Sequence, residues 1–243
     1  MTVARVELSD QQVSRLATQT VFFGHQSVGD NIVQGIRDLM AEDPRLHLNL
    51  INSADPSEIA GPAFIEAHIG ENTRPDSKND AFRAVVDKGL GARDSIVTMK
   101  YCYVDIGPGT DVIRMFREYS QLVSQLKAKY PGLKIVHVTV PLTTVEPAGK
   151  AWLKELVGKS TARADNLKRN QFNRLLKETY QSKDIFDLAQ VESTHADGSR
   201  EYFVENEEPI YTLAPEYTDD GGHLNAIGRQ VAAKKMLITL ANP

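Results

Sequence analysis

The distribution of apolar and polar positions predicts strands that alternate with helices along the whole chain. Apolar runs typical of buried strands occur at residues 20–23, 46–52, 95–101, 133–140 and 184–188. Apolar residues at helical spacing occur between and after these runs, over residues 27–40, 79–90, 112–126, 148–181 and 224–240. Such alternation indicates a parallel sheet with helices on both faces. The pattern therefore predicts an α/β fold, a three-layer α/β/α sandwich on a five-stranded parallel sheet, in a single domain spanning residues 1–243.

Two long polar connections interrupt this pattern, at residues 53–78 and 192–222. The first is rich in proline and glycine, and we expect it to hold one short helix around Ala63 to Ala67. Connections of this length in a compact domain are often functional. In parallel sheets, ligands bind beyond the carboxyl ends of the strands. The segments that follow each strand are therefore where functional residues are expected.

Composition narrows the class of protein without identifying it. The chain has 243 residues, of which 41% are hydrophobic and 25% charged, and its net charge of −4 gives no reason to expect nucleic acid or a membrane as partner. Its single cysteine, Cys102, excludes an intrachain disulfide. No apolar run reaches the roughly 18 residues of a membrane span. Residues 1–10 do not resemble a signal peptide, which leaves a cytoplasmic protein and a mature exported form as alternatives. The oligomeric state is left open.

Ser27 lies where the first strand ends and the first long helix begins, in the segment Phe23-Gly-His-Gln-Ser27-Val-Gly. Two interpretations fit this position. A serine often caps a helix by accepting a hydrogen bond from its first turn. A serine held in a tight strand-to-helix turn is also a typical nucleophile, because unpaired amides beside it stabilise an oxyanion.

A second segment, Thr218-Asp-Asp220-Gly-Gly-His223-Leu-Asn, precedes the last helix. A histidine that acts as base on a serine needs a carboxylate to hold its other ring nitrogen. Asp220 is the first choice for that role and Asp219 the second. The alternative is an aspartate that caps the helix beside a histidine on the surface.

Together these two segments resemble the SGNH, or GDSL-type, hydrolase superfamily. In that family a serine follows the first strand, and an Asp-x-x-His motif near the C-terminus completes a triad. The resemblance extends from Thr20 to Leu240 and implies a flavodoxin-like sheet with Ser27, His223 and Asp220 as catalytic residues. The first block is divergent, because His25-Gln26 stand where many members have Gly-Asp, and it defines a Gly-His-Gln-Ser subgroup.

The resemblance also implies an oxyanion hole, which the family builds from the serine amide, a glycine after the second strand and an asparagine after the third. Gly70 suits the second position. The segment after the third strand, Lys100-Tyr-Cys-Tyr-Val-Asp105, contains no asparagine. Asn72 or Lys100 is expected to supply the missing donor.

The remaining polar and aromatic candidates are weaker. His25 is expected to pack in the turn or contact substrate. Lys100 either contacts an anionic substrate or is solvated, and Tyr101 and Tyr103 either stack on a sugar ring or pack in the core or rim. Among the other histidines, we expect structural or solvent-exposed positions for His47, His137 and His195 and at most a binding role for His68. No histidine pair has helical metal-ligand spacing, so neither a metal nor another cofactor is expected.

The predicted function is that of a serine esterase, a carboxylic-ester hydrolase that acts on small acyl esters, most plausibly O-acetyl groups on a carbohydrate. The carbohydrate preference follows from the polar loops and from what is common in the superfamily. Two alternatives stay open: an acyltransferase to a sugar hydroxyl with the same triad, and a non-catalytic carbohydrate-binding module. The expected partner is a small-molecule or carbohydrate ester.

Overall fold

The computed structural model describes residues 7–145 and 161–242. The strands of the main sheet are β1 (Thr20–His25), β2 (Leu50–Asn52), β3 (Ala63–His68), β4 (Ser95–Met99), β5 (Lys134–Val138) and β6 (Ile185–Phe186). The α-helices are α1 (Asp10–Thr18), α2 (Val28–Glu42), α3 (Pro75–Val85), α4 (Val112–Lys129), α5 (Ala162–Thr179), α6 (Leu188–Glu192) and α7 (Ala226–Leu240). A hairpin, β7 (Tyr202–Glu205) and β8 (Glu208–Tyr211), forms a separate two-stranded sheet.

The six strands of the main sheet are parallel and lie in the order β2-β3-β1-β4-β5-β6. Without the edge strand β2, this is the flavodoxin-like order. β1 lies between β3 and β4, and all six of its residues are buried. The carboxyl ends of these three strands therefore meet at one edge, and Ser27 follows the middle one.

An apolar core covers each face of the sheet. One cluster packs α1, α2, α6 and α7 against one face, and the other packs α3, α4 and α5 against the opposite face. These two layers confirm the predicted α/β/α sandwich. Among the described residues, no helix combines the length and apolarity needed to cross a membrane.

The short helix expected around Ala63 to Ala67 is wrong, because these residues form β3, which pairs with both β1 and β2. The segment is buried on both faces, so its apolar residues show neither helical nor strand periodicity. β3 is also why the sheet has six strands rather than five. The second polar connection likewise contains structure, the β7–β8 hairpin. The part of the predicted helix 148–181 that precedes residue 161 lies outside the described residues.

Candidate active site

Ser27 has a strained backbone, with φ 58° and ψ −111°. A residue other than glycine with such positive φ costs on the order of 1–3 kcal/mol, and strain of this kind is concentrated at functional sites. Ser27 occupies the N-cap position of α2, but its side chain makes no capping hydrogen bond. The cap interpretation of Ser27 is therefore wrong, and its hydroxyl is directed elsewhere.

The Ser27 hydroxyl meets the histidine of the last loop. Its Oγ lies 2.7 Å from Nε2 of His223, and Nδ1 of the same ring lies 2.7 Å from Oδ2 of Asp220. The other oxygen, Oδ1, accepts hydrogen bonds from the amides of His223 at 2.8 Å and Gly222 at 2.9 Å. The hydrogen bonds from the His223 amide and ring hold the pKa of Asp220 below its usual range. Asp220 therefore stays ionised and fixes the imidazole.

Asp219, the second choice for this role, has a different partner. Its Oδ1 accepts a hydrogen bond from Nδ2 of Asn225 at 3.3 Å. Asn225 itself caps α7, since its Oδ1 accepts from the amides of Ile227 and Gly228, both at 3.1 Å. An aspartate was one alternative for the N-cap of this helix, and the residue that caps α7 is Asn225.

Two contacts from other elements hold the last loop over Ser27. The amide of Thr144, in the segment after β5, donates to the Gly221 carbonyl at 2.9 Å. From α2, Oδ1 of Asn31 accepts a hydrogen bond from the Leu224 amide at 3.0 Å. His223 therefore stands between two anchored neighbours, although its own side chain is 43% exposed.

Tyr103 is a third side chain beside the serine and histidine. Its hydroxyl lies 3.4 Å from Nε2 of His223, and the two rings meet edge to face with centroids 5.7 Å apart. Nε of the buried Arg169 donates to the Tyr103 carbonyl at 3.0 Å. Burial raises the pKa of the Tyr103 hydroxyl, so it remains a hydrogen-bond donor. The sequence suggested stacking on a sugar or packing in the core or rim for this tyrosine, and not a contact with the histidine.

Two backbone amides expected to bind an oxyanion lack a hydrogen-bond acceptor. Within residues 7–145 and 161–242, neither the Ser27 amide nor the Gly70 amide, in the loop after β3, donates to an acceptor. Gly70 has φ +61°, and a Cβ at this position would lie 2.6 Å from the Lys78 backbone nitrogen, so only glycine fits. Nε2 of Gln26 donates to the carbonyls of Gly70 and, at 3.2 Å, Ile69. Gln26 therefore ties the glycine loop to the turn that holds Ser27.

A buried ion pair supports the loop around Asn72. Oδ1 of Asn72 accepts a hydrogen bond from Nζ of Lys78 at 3.1 Å, which leaves the Asn72 amide hydrogens available. The same Nζ is paired with Oδ2 of Asp105, and both of these side chains are buried. Asp105 also accepts from the amides of Thr73 at 2.8 Å and Cys102 at 2.6 Å. The pair thus joins α3 to the segment that follows β4.

The substrate-binding roles predicted for Lys100 and Tyr101 are wrong, because both residues are buried, at 1% and 2% exposure. Nζ of Lys100 lies 3.4 Å from the Tyr101 carbonyl and 3.3 Å from Sγ of Cys102. Burial lowers the pKa of Lys100. The Tyr101 ring packs edge to face on Phe172 in the core. Each residue follows β4 and turns inward, which periodicity could not reveal in a strand that is buried on both faces.

His25 is buried and does not reach the substrate side of Ser27. Its Nε2 lies 3.0 Å from Oε2 of Glu66 on the neighbouring strand β3, and burial lowers its pKa. The substrate-contact alternative for His25 is therefore wrong, and the turn-packing alternative agrees with its position. Among the described residues it is the His223 ring, not that of His25, that lies within hydrogen-bond distance of the Ser27 hydroxyl.

Comparisons with known proteins identify the fold. No family model matches the sequence, and no curated protein matches it. A solved structure from Streptococcus pneumonia, provisionally named a platelet activating factor, is 15% identical, with a TM-score of 0.52 over 95% of this chain and 91% of that one.

Two further structures cover similar shares of the chain. A provisionally named SGNH hydrolase from Slackia heliotrinireducens is 15% identical, with a TM-score of 0.48 over 92% of this chain and 98% of that one. A member of the lipolytic protein G-D-S-L family from Veillonella parvula is 12% identical, with a TM-score of 0.48 over 90% and 96%. At these identities the likeness concerns the fold alone, and the chain shares the α/β fold of the Streptococcus pneumonia structure.

Proposed function

We propose that this protein is a serine esterase of the SGNH superfamily, with Ser27 as nucleophile. The observation that carries the proposal is the continuous hydrogen-bond chain from Ser27 through His223 to Asp220, with 2.7 Å at each step. A serine that only shaped the turn would need neither a histidine on its hydroxyl nor a carboxylate behind that histidine.

In the proposed reaction, Ser27 Oγ attacks the carbonyl carbon of an ester while Nε2 of His223 takes the hydroxyl proton. Asp220 holds the ring in the tautomer that leaves Nε2 free and stabilises the imidazolium. The tetrahedral intermediate collapses, and His223 returns the proton to the departing alcohol. Water, activated by the same histidine, then hydrolyses the acyl-enzyme.

The negative charge on the intermediate needs preorganised donors. The free amides of Ser27 and Gly70 are the first two, and Nδ2 of Asn72 is the proposed third. Lys78 supports this assignment because it occupies the oxygen end of the Asn72 side chain. Donors that are fixed before the reaction cost no reorganisation when charge develops.

The surroundings of the triad favour a short acyl group on a polar alcohol. The side chains of His223 and Asp220 are 43% and 57% exposed, so the triad lies on an open surface. A groove of 490 Å³ between α5 and β8 contains none of the triad residues. We propose O-acetyl groups on a carbohydrate as the substrate, because an acetyl needs little apolar enclosure and a sugar suits the polar rim.

Labelling with a fluorophosphonate tests the mechanism directly. We expect the purified protein to be modified at Ser27, as identified by peptide mass spectrometry, and to hydrolyse p-nitrophenyl acetate. Ser27→Ala should lose both properties and retain the circular dichroism spectrum of the wild type. Hydrolysis at the wild-type rate in that variant would overturn the proposal. Absence of labelling together with measurable sugar binding would favour a binding module.

Substrate class is tested with a series of esters. We expect the rate to fall from acetate to longer acyl chains and acetate to be released from acetylated oligosaccharides. Product analysis in the presence of a sugar acceptor distinguishes the two reactions, because an acyltransferase would form a new sugar ester where a hydrolase releases free acid.

A further inference from the structure

Three side chains with metal-binding atoms meet behind the Ser27 turn. They are His25 at the end of β1, Asp30 in the first turn of α2 and His68 at the end of β3. One ligand atom from each lies within 4.8 Å of the other two. Oδ1 of Asp30 is 2.6 Å from Nε2 of His68 and 3.7 Å from Nδ1 of His25.

The buried member of this cluster has an unused nitrogen directed at the other two. The His25 side chain is fully buried, and its Nδ1 makes no hydrogen bond to any described residue. A buried polar atom without a partner normally costs on the order of 1–3 kcal/mol. Asp30 at 3.7 Å is too distant for a hydrogen bond, so the packing leaves this lone pair unsatisfied.

The tautomer of His25 suits a metal ligand. Its Nε2 lies 3.0 Å from Oε2 of Glu66, which can only accept, so the ring proton is on Nε2 and the lone pair is on Nδ1. Oε1 of Glu66 is held in turn by Nδ2 of Asn52 at 2.9 Å and lies 3.6 Å from the Arg37 guanidinium. A carboxylate on the far nitrogen of a histidine is the usual support of a metal-bound imidazole.

The fold also makes room for this arrangement. A Cβ at Gly29 would lie 2.6 Å from Nδ1 of His25, so the glycine lets the imidazole lie against the first turn of α2. Asp30 and His68 have side chains that are 50% and 60% exposed, which gives an ion access from solvent. Ligand atoms around a tetrahedral zinc ion are separated by about 3.3 Å. This value lies between the distances from Oδ1 of Asp30 to His68, 2.6 Å, and to His25, 3.7 Å.

We propose that His25, Asp30 and His68 bind a divalent transition-metal ion of the zinc class, at a site separate from the triad. Two imidazoles and one carboxylate suit Zn²⁺ and similar ions, whereas Mg²⁺ and Ca²⁺ prefer oxygen ligands. With three protein ligands and solvent access, water completes the coordination. The ion replaces the proton between Asp30 and His68 and satisfies the free nitrogen of His25.

The proposed metal site surrounds the turn that contains Ser27. His25 precedes Ser27 by two residues, Asp30 follows it by three, and His68 precedes Gly70 by two. A bound ion would therefore join β1, α2 and β3 around the strained turn. No local sequence pattern predicts this site, because its ligands come from three elements and have no helical spacing.

Titration of the metal-free full-length protein with Zn²⁺ and Co²⁺ tests the proposal. We expect calorimetry to show one bound ion per chain and Zn²⁺ to raise the Tm. The visible spectrum of bound Co²⁺ should be that of an ion with a low coordination number. Mg²⁺ should produce none of these effects. Asp30→Asn and His68→Ala replace exposed side chains and should each weaken binding at least tenfold. Glu66→Gln should weaken it about 10–100-fold, as loss of a supporting carboxylate does.

Matched controls locate the ion. His47→Ala removes an exposed histidine elsewhere, and His195→Ala removes one whose two ring nitrogens face different carboxylates, Glu216 at 2.6 Å and Glu201 at 3.0 Å. Both variants should bind as the wild type does. The proposal is overturned if the wild type binds no ion, if Asp30→Asn and His68→Ala bind undiminished, or if His223→Ala abolishes binding instead.

Discussion

The Ser27 hydroxyl and the His223 imidazole lie 2.7 Å apart although 196 residues separate them in the chain. The same serine adopts φ 58° and ψ −111°, the conformation of the first central residue in a type II′ turn, which glycine strongly favours. The strained backbone conformation of Ser27 therefore accompanies the direction of its hydroxyl toward the His223 imidazole.

Ser27→Gly should separate stability from activity. Glycine relieves strain of about 1–3 kcal/mol and adds roughly 0.5–1 kcal/mol of unfolded-state entropy, so we expect a net gain of about 1 kcal/mol in the free energy of unfolding. For a chain of this size that corresponds to a Tm about 2–4 °C higher. Esterase activity should be lost. Thermal unfolding and a p-nitrophenyl acetate assay measure the two effects.

Ser27→Ala is the matched control, because alanine removes the hydroxyl and keeps the strain. It should be as inactive as the glycine variant without its gain in Tm. Equal Tm values for the two variants would contradict the claim that the backbone of Ser27 is strained.

The two adjacent aspartates allow a comparison within one loop. Asp220→Asn should lower kcat by about 10³–10⁴-fold, because an amide cannot hold His223 in the productive tautomer or stabilise its charged form. Asp219→Asn should leave kcat within a few-fold of the wild type, since the side-chain hydrogen bond of Asp219 within the described part of the chain is to Asn225 rather than to His223. Steady-state kinetics on both variants check this. Similar losses in the two would contradict the assignment of Asp220.

Much of this arrangement could be predicted from local patterns. A few consecutive residues are enough to recognise the strand-to-helix position of Ser27. The same holds for the spacing in Asp220-Gly-Gly-His223. Long amphipathic helices such as α2 and α4 were also predictable, because one face is buried and the other is exposed. These features require no knowledge of which distant segments meet.

The features that the sequence did not predict depend on distant contacts. The sequence predicts a helix at β3 because burial on both faces removes the alternation that identifies a strand. It predicts a substrate contact for Lys100 and leaves Tyr101 between the substrate and the core, because nothing local shows that both side chains turn inward. The Lys78–Asp105 pair joins α3 to the segment after β4 across 27 residues of chain, and no spacing rule connects them. Tertiary contacts decided each of these cases.

Asn72 is the proposed third oxyanion donor, and Asn72→Ala tests it. Loss of one such donor typically lowers kcat about 10²–10³-fold. We expect this loss with little change in KM, because the hydrogen bond forms chiefly in the transition state. The residue is exposed, so the Tm should change little. Unchanged kcat would exclude Asn72 and leave the two backbone amides as the donors.

We expect the buried Lys78–Asp105 ion pair to contribute strongly to the free energy of unfolding, because it supports the segment around Asn72. Lys78→Met leaves the Asp105 carboxylate buried without its partner, which typically costs about 3–5 kcal/mol. Chemical denaturation measures this loss. Replacing both residues, as Lys78→Met with Asp105→Asn, should recover part of it, because the uncompensated charge is removed. A double variant no more stable than Lys78→Met would contradict this account.

Glu192 should make the stability of the fold fall as the pH rises. Its side chain is buried, Oε2 accepts from the Leu142 amide at 2.7 Å, and Oε1 has no partner among the described residues. Burial raises its pKa from 4.5 to about 8, although the charges of Lys100 and Arg169 oppose the shift. The folded state thus keeps a proton that the unfolded state has already released between these two pH values.

The free energy of unfolding contributed by Glu192 is therefore fully present below about pH 4.5 and decreases until about pH 8. The slope is at most about 1.4 kcal/mol per pH unit. Glu192→Gln keeps the acceptor for Leu142 and stays neutral, so its stability relative to the wild type should rise across this range in urea denaturation. Glu178→Gln, at an exposed position, serves as control and should show a constant difference. A constant difference for Glu192→Gln as well would mean that Glu192 is ionised in the folded protein.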